Sequence, residues 1–283
     1  MEMIQQCNIM SVDVEDYFQV EAFAGGVTRG DWQHYASRVE HNTRRILDLL
    51  DESRVKGTFF ILGWVADHYP RLVQQIVARG HEPACHSYWH RRIYELTPEA
   101  FREDTLRAKN AIEQAGGALV NGYRAPSFSI TRESLWGLEV LAELGFRFDS
   151  SIFPIKHDVY GIPDAHRGPF RVMTQSGPIL EFPLATFRVC GGPNMPVAGG
   201  GYLRMCPYWY TKAGLRSAWR ESLPVVTYVH PWELDPEQPR VRAPFRSQLR
   251  HYTNLNKTES RLRKLLALAR FTSFRDSTLE DML

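Results

Sequence analysis

Four times in succession, a short apolar run rich in β-branched and aromatic residues gives way to a segment of helical period. "NIMSVDV" reads as a first strand, and "HNTRRILDLLDESR" follows as a helix with Ile46, Leu47, Leu49 and Leu50 on its apolar stripe. "KGTFFILG" is a buried strand bounded by glycines; "PRLVQQIVARG" is a helix with Pro70 in its first turn and Gly80 as its stop. "HEPACHS" reads as the next strand. "TPEAFREDTLRAKNAIEQAGG" is a helix with Thr97 as N-cap, Pro98 at the first helical position and a double-glycine end. "VNGYRAPSF", the helix "RESLWGLEVLAELG" and the strand "FRFDSS" complete the series. Strand-then-helix alternation specifies a parallel sheet or barrel, and both place their working residues at the carboxyl ends of strands. Asp13, Glu15, His86, Arg124 and Asp149 all lie at or just after such ends. No glycine-rich nucleotide loop accompanies them, which counts against a nucleotide site.

From about residue 155 to 205 the pattern loosens into Gly- and Pro-dense sequence that reads as short strands and long loops. A helix, "YWYTKAGLRSAWRES", leads to the strand "PVVTYVHPWEL", and the tail ends in a helix striped by Leu262, Leu265, Leu266 and Leu268. No repeat, low-complexity tract or linker divides the chain. One domain over residues 1–283 is expected, with a C-terminal extension from about 235. At 283 residues and 43% hydrophobic the chain can build a sizeable core, and a net charge of +2 gives no argument for nucleic acid. The N-terminus lacks the basic start and apolar core of a secretory signal, and no run is long enough to span a membrane. Cys7, Cys85, Cys190 and Cys206 lie far apart with no C-x-x-C, and read as reduced thiols. The expected location is the cytoplasm, either free or at the inner face of the membrane.

Four clusters carry chemistry. In "SVDVED", Ser11, Asp13 and Glu15 share one face of an extended strand. Two acids on the inner face of a buried strand repel each other unless a cation or proton intervenes. His86 and His90, four apart, sit on one face of a helical turn and can converge on one ion. In "YRAPSF", Arg124 follows a glycine-led strand, with Pro126 stiffening the loop. His230 ends the apolar strand "VTYVHPWE". Each alone has an ordinary structural reading: a solvated acidic loop, surface histidines, a turn, a satisfied core histidine. Together they hold the residue types of a metal-assisted hydrolase.

In order, Asp, His-x-x-x-His, Arg-x-Pro, Asp-Ser-Ser and His resemble the polysaccharide deacetylases of carbohydrate esterase family 4. "KGTFFILGWVADHYPRLVQQIVARGHEPACHSYWH" is similar to that family's strand, helix and Gly-His-Glu lead into a His-Ser-x-x-His metal motif. The resemblance covers roughly residues 8–152, with His230 matching a later histidine motif. It implies an α/β fold, a deformed (β/α)7 barrel, with a divalent metal, usually zinc, held by one acid and two histidines. The family pattern has adjacent aspartates, a base and a ligand. Here the sequence is "VDVED", so the acidic ligand beside His86 and His90 is Glu15 or Asp16, with Glu15 favoured because it shares a face with Asp13. The opening resembles a subgroup that includes peptidoglycan and exopolysaccharide deacetylases and metal-independent hydrolases of cyclic amides. With "HPWELDP" it is most similar to deacetylases encoded in bacterial exosortase-linked exopolysaccharide loci.

The implied activity is hydrolytic removal of N-acetyl groups from amino sugars of a bacterial polysaccharide or its precursor. Asp13 would be the base, Arg124 its orienting partner, His230 the general acid and Asp149 a carboxylate that fixes a histidine. A backbone amide near Ser127 would share the oxyanion with the metal. Phe128, Trp89, Trp232 and Tyr202, with Tyr208, are candidate sugar contacts. Two rivals remain: a metal-independent amidohydrolase of a small cyclic amide or ureide on the same fold, and an inactive carbohydrate-binding protein.

Overall fold

Every residue of the first strand, β1 (Asn8–Val14), is buried, as a strand covered on both faces of a parallel sheet must be. The computed structural model describes residues 8–189 and 191–277, so Cys7 and Cys190 lie outside the described residues. β1 pairs with β2 (Thr58–Ile61), and the parallel series continues through β3 (Glu82–Cys85), β4 (Gly122–Tyr123) and β5 (Phe148–Asp149). β6 (Phe170–Thr174) and β7 (Gly177–Glu181) form a hairpin whose second strand lies parallel to β5. β8 (Thr186–Phe187) and β9 (Met195–Pro196) make a small separate pair, and β10 (Val225–Val229) returns to the free side of β1. The eight-stranded order is β10-β1-β2-β3-β4-β5-β7-β6, parallel throughout except at the β6 edge. After β7 the chain bridges the segment beyond β5 and the strand β10: Leu184 N donates to Ile152 O and Ala185 N to Val226 O. The result is an open β/α barrel: the alternation left parallel sheet or barrel open, and the resemblance implied the barrel.

The crossovers are helical for local reasons. α1 (Val39–Glu52) buries Ile46, Leu47, Leu49 and Leu50 as its stripe requires. α2 (Gly63–His68) is a helix absent from the sequence reading, where Gly63 served only to close a strand. A Cβ at Gly63 would meet the Tyr88 ring at 2.5 Å and Ala108 Cα at 2.7 Å, so the glycine lets a helix approach closely. α3 (Pro70–Ala78) begins at its proline. α4 (Pro98–Gly116) starts with Thr97 Oγ1 accepting from Ala100 N at 3.3 Å and ends on Gly117 at φ 64, the left-handed stop expected of a double glycine. α5 (Trp136–Glu143) precedes β5, and α6 (Gly200–Met205) and α7 (Tyr208–Arg220) precede β10. The tail forms α8 (Phe245–Tyr252) and α9 (Leu255–Leu266); α9 buries Leu262, Leu265 and Leu266, while Leu268 lies beyond its end and is half-buried.

After α9 the chain closes the floor of the barrel. Thr272 N donates to Asn8 O at 2.8 Å, Phe274 N to Thr58 Oγ1 at 3.0 Å and Arg275 N to Glu82 Oε2 at 3.0 Å. Residues 272–275 therefore cross the amino ends of β1, β2 and β3. The Phe274 ring fills the interior beneath Phe60, Phe148 and Phe182, with centroids 6.0, 4.7 and 5.0 Å away. With the amino ends sealed, access is left at the carboxyl ends. Among the described residues, no helix is long and apolar enough to cross a membrane.

Candidate active site

Glu15, just past β1, and His86 and His90, just past β3, converge at the carboxyl ends of the strands. The histidines do not share a helical turn, as their spacing suggested. Left-handed backbone at Ser87 (φ 64) and His90 (φ 52) folds the segment back, and the rings come within 5.3 Å of each other. One ligand atom from each of Glu15, His86 and His90 lies within 4.8 Å of the others, and all three residues are buried. His86 Nδ1 is 2.7 Å from the Arg124 carbonyl. A carbonyl only accepts, so Nδ1 carries the proton and Nε2 keeps the lone pair a metal requires. Burial pushes His86 down to about 4, which keeps it neutral. Burial alone would raise the Glu15 carboxyl, but the neighbouring His90 and His230 rings outweigh it and bring it to about 2. Glu15 Oε1 accepts from Trp232 Nε1 at 3.0 Å. Its Oε2 lies 2.8 Å from His90 Nε2 yet accepts no hydrogen bond. A buried anionic oxygen without a donor, beside two imidazoles, is a donor set that fits a divalent cation.

Asp16 turns away from this cluster, and its candidacy as a ligand is corrected. Its Oδ2 accepts from Ser37 Oγ at 2.6 Å and from the amides of Arg38 at 2.8 Å and Val39 at 3.1 Å. It caps the start of α1, where the first amides have no helical partner.

Asp13 sits between a cation and a histidine. Its Oδ1 accepts from Arg124 Nη1 at 2.8 Å, and its Oδ2 is 3.9 Å from His230 Nε2. Arg124 is fully buried; its remaining donors go to Ser11 Oγ, Ser150 O and Ser150 Oγ at 2.7, 3.1 and 2.9 Å. A buried guanidinium held by four hydrogen bonds keeps one geometry.

His230 does not lean on Asp149. Its Nδ1 is 3.1 Å from Glu233 Oε2, which also accepts from the His230 amide at 2.9 Å. Burial would lower the ring's pKa; Glu233, with Glu15 and Asp13 behind it, outweighs that and raises it to about 9. Arg204 in turn donates to Glu233 Oε1 at 2.5 Å, and despite burial the carboxyl is held to about 2 by Arg204 and His230. Glu233 is the residue that the sequence reading missed. Its signal was an acid three residues after His230 in a proline-led turn, the spacing of a capping box.

Asp149 instead accepts from Ser151 Oγ at 2.6 Å, and Ser151 Oγ accepts from Ala125 N at 2.8 Å, so it braces the loop that carries Arg124. It pairs in register with Glu181 on the next strand. Burial raises both acids, Glu181 further because Asp149 faces it. Trp232 offers no face to a sugar: it is 5% exposed, stacked between His230 at 5.2 Å and His251 at 4.1 Å. Ser127 and Phe128 form a left-handed pair (φ 53 and 52) after Arg124, with Ser127 half-buried and Phe128 packed on Tyr160 and Tyr228. The Tyr202 hydroxyl is 3.0 Å from that of Tyr160. Trp89 is half-buried against Trp32 and Tyr88. Tyr208 donates to Lys264 O, tying α7 to α9.

Residues 32–148 match the family model described as polysaccharide deacetylase, and residues 150–279 match one described as a domain of unknown function, DUF3473. A chitooligosaccharide deacetylase from Bradyrhizobium is 35% identical over 101 residues, covering 35% of this chain and 43% of that protein. A peptidoglycan-N-acetylglucosamine deacetylase from Bacillus cereus is 30% identical over 98 residues, 34% of this chain and 36% of that protein. The chain thus spans less than half the length of these curated relatives. Among solved structures, a protein from Mycobacterium smegmatis described as a candidate polysaccharide deacetylase superposes with a TM-score of 0.64 at 19% identity, over 94% of this chain and 85% of that one. A pseudoenzyme of carbohydrate esterase family 4 from Bacillus anthracis superposes at 0.51 with 13% identity, over 96% and 65%. At such identities these structures establish the fold alone.

Proposed function

We propose that the chain, whose residues 32–148 match the polysaccharide deacetylase family model and which is 35% identical over 101 residues to a chitooligosaccharide deacetylase, hydrolyses N-acetyl groups from amino sugars of a bacterial polysaccharide or its oligosaccharide precursor. The observation that carries this reading is the pairing of Asp13 and His230 across 3.9 Å, beside the buried Glu15, His86 and His90 cluster. Glu15, His86 and His90 would hold a divalent cation, zinc by their ligand types. Such an ion supplies Lewis acidity, polarising an acyl carbonyl and lowering the pKa of water.

The chain's own residues supply the rest. Arg124 occupies one oxygen of Asp13 and leaves Oδ2 to take a proton from the attacking water. His230, kept protonated by Glu233, gives its proton to the departing amine nitrogen, without which the amide bond does not break productively. The turn at Ser127 offers a backbone amide to the acyl oxygen, and the half-buried Tyr160 and Tyr202, backed by the buried Phe128, offer ring edges and hydroxyls to a sugar. An exopolysaccharide as the polymer rests on the resemblance of "VDVEDYFQV" and "HPWELDP" alone.

The test is acetate release from a panel of N-acetylated oligosaccharides, with metal content measured on the same protein. His86→Ala and His90→Ala should lose metal and activity together. Full activity after the metal is stripped would favour the metal-independent amidohydrolase. Sugar binding without acetate release under any added metal would favour an inactive carbohydrate-binding protein.

A further inference from the structure

Four arginines crowd one short stretch at the start of the tail. Arg240, Arg242, Arg246 and Arg250 are all exposed, and no Asp or Glu occurs from Gln238 to Thr258. None of the four has an ion-pair partner among the described residues; Arg240 lies over the Tyr252 ring at 4.0 Å. Beside them stand Phe245, 79% exposed, and Leu249, 53% exposed.

α8 arranges these residues by face. At about 100° per residue, Leu249 follows Phe245 by roughly 40° around the axis, and Arg246 and Arg250 occupy the adjoining flank. His251 lies on the inner side, its ring 4.1 Å from Trp232 and 4.6 Å from Phe23. The helix is therefore anchored by one face and presents an apolar stripe with a basic flank on the other. A soluble acidic polymer would be met by the arginines alone and gives Phe245 and Leu249 nothing to enter. A surface that is both anionic and apolar a few ångströms down matches both features.

We propose that α8, with the arginines leading into it, docks the protein on an anionic lipid bilayer. The arginines draw the surface in from within a Debye length, and Phe245 and Leu249 insert at the level of the acyl-chain boundary. Through His251 and Trp232 the docking helix stands on the same stack as His230. If the proposed activity holds, docking brings the cleft to sugar chains tethered at that membrane, but the docking itself does not depend on that activity.

Flotation of the full-length protein with vesicles tests this. Binding is expected to equal parts of phosphatidylcholine and phosphatidylglycerol, not to phosphatidylcholine alone, and to weaken as salt rises. Each arginine near such a surface is worth about fivefold, so Arg246→Glu with Arg250→Glu should cut binding by more than about tenfold. Phe245→Ser with Leu249→Ser should cut it about tenfold or more with the circular dichroism spectrum unchanged. No flotation with anionic vesicles at low salt would overturn the proposal. So would undiminished binding by the Phe245/Leu249 variant, which would leave charge attraction only. Retention on an immobilised acidic polysaccharide without vesicle binding would assign the arginines to a polymer instead.

Discussion

A histidine that gives a proton to an amine must hold it at the working pH, and at His230 the close carboxylate is Glu233. Glu233→Gln keeps the size and the Arg204 contact but removes the charge. The alkaline limb of kcat/KM expected of a general acid raised to about 9 should then move to lower pH. Protonated His230 is present below its pKa and lost above it, so amide cleavage near neutrality should fall about 10–100-fold. An activated aryl acetate, whose leaving group needs no proton, should be nearly spared; equal losses on both would mean that Glu233 acts through the ligand cluster. A second pair of variants separates the neighbouring acids. Glu15→Gln should lose metal, whereas Asp16→Asn should keep it and cost about 1 kcal/mol in denaturant unfolding, the worth of a helix cap. The side-chain alternation of an extended strand already favoured Glu15 over Asp16 in the sequence. It could not show that Asp16 caps a helix beginning at Val39, or that Asp149 faces Glu181, because those partners meet only through the sheet.

At the scale of elements, periodicity served wherever a segment was long enough to have a period. The helix N-cap at Thr97 and the left-handed stop at Gly117 follow from local chemistry and stand where the sequence put them. β4 and β5 are two residues each, too short for alternation, and are held in place by their neighbours. α2 escaped notice because its reason for starting at Gly63 is a tertiary contact with Tyr88 and Ala108. The barrel floor is likewise a long-range feature: nothing near Phe274 in the sequence says that it belongs under Phe60 and Phe148. Phe274→Ala should open a cavity among these rings and cost about 3–5 kcal/mol in urea unfolding. Phe274→Leu, which keeps most of the volume, should cost much less. A loss below about 1 kcal/mol for the alanine variant would mean that the floor collapses freely and that Phe274 is not its plug.

At the scale of the molecule, the two matched segments, 32–148 and 150–279, do not divide the sheet. β1 lies before the first of them and is flanked by β2 on one side and β10, from the second, on the other. The catalytic candidates follow the same seam: Asp13 and Glu15 come from the start of the chain and His230 from residues past β10. The floor does too, since Phe274 N bonds to Thr58. A fragment ending at Asp149 would keep β1 to β5 but expose both edges of a parallel sheet, leave the floor open and remove the partner of β1. Exposed edges of buried strands pair with other chains, so the fragment should aggregate rather than fold. The intact chain should unfold in one transition, with far-ultraviolet circular dichroism and tryptophan fluorescence tracing the same curve. A soluble 1–149 fragment that bound zinc, or two separated transitions in the whole chain, would show that the segments are independent domains. The sharing of β1 between β2 and β10 weighs against that outcome, because the strand that carries Asp13 has no stable place without both neighbours.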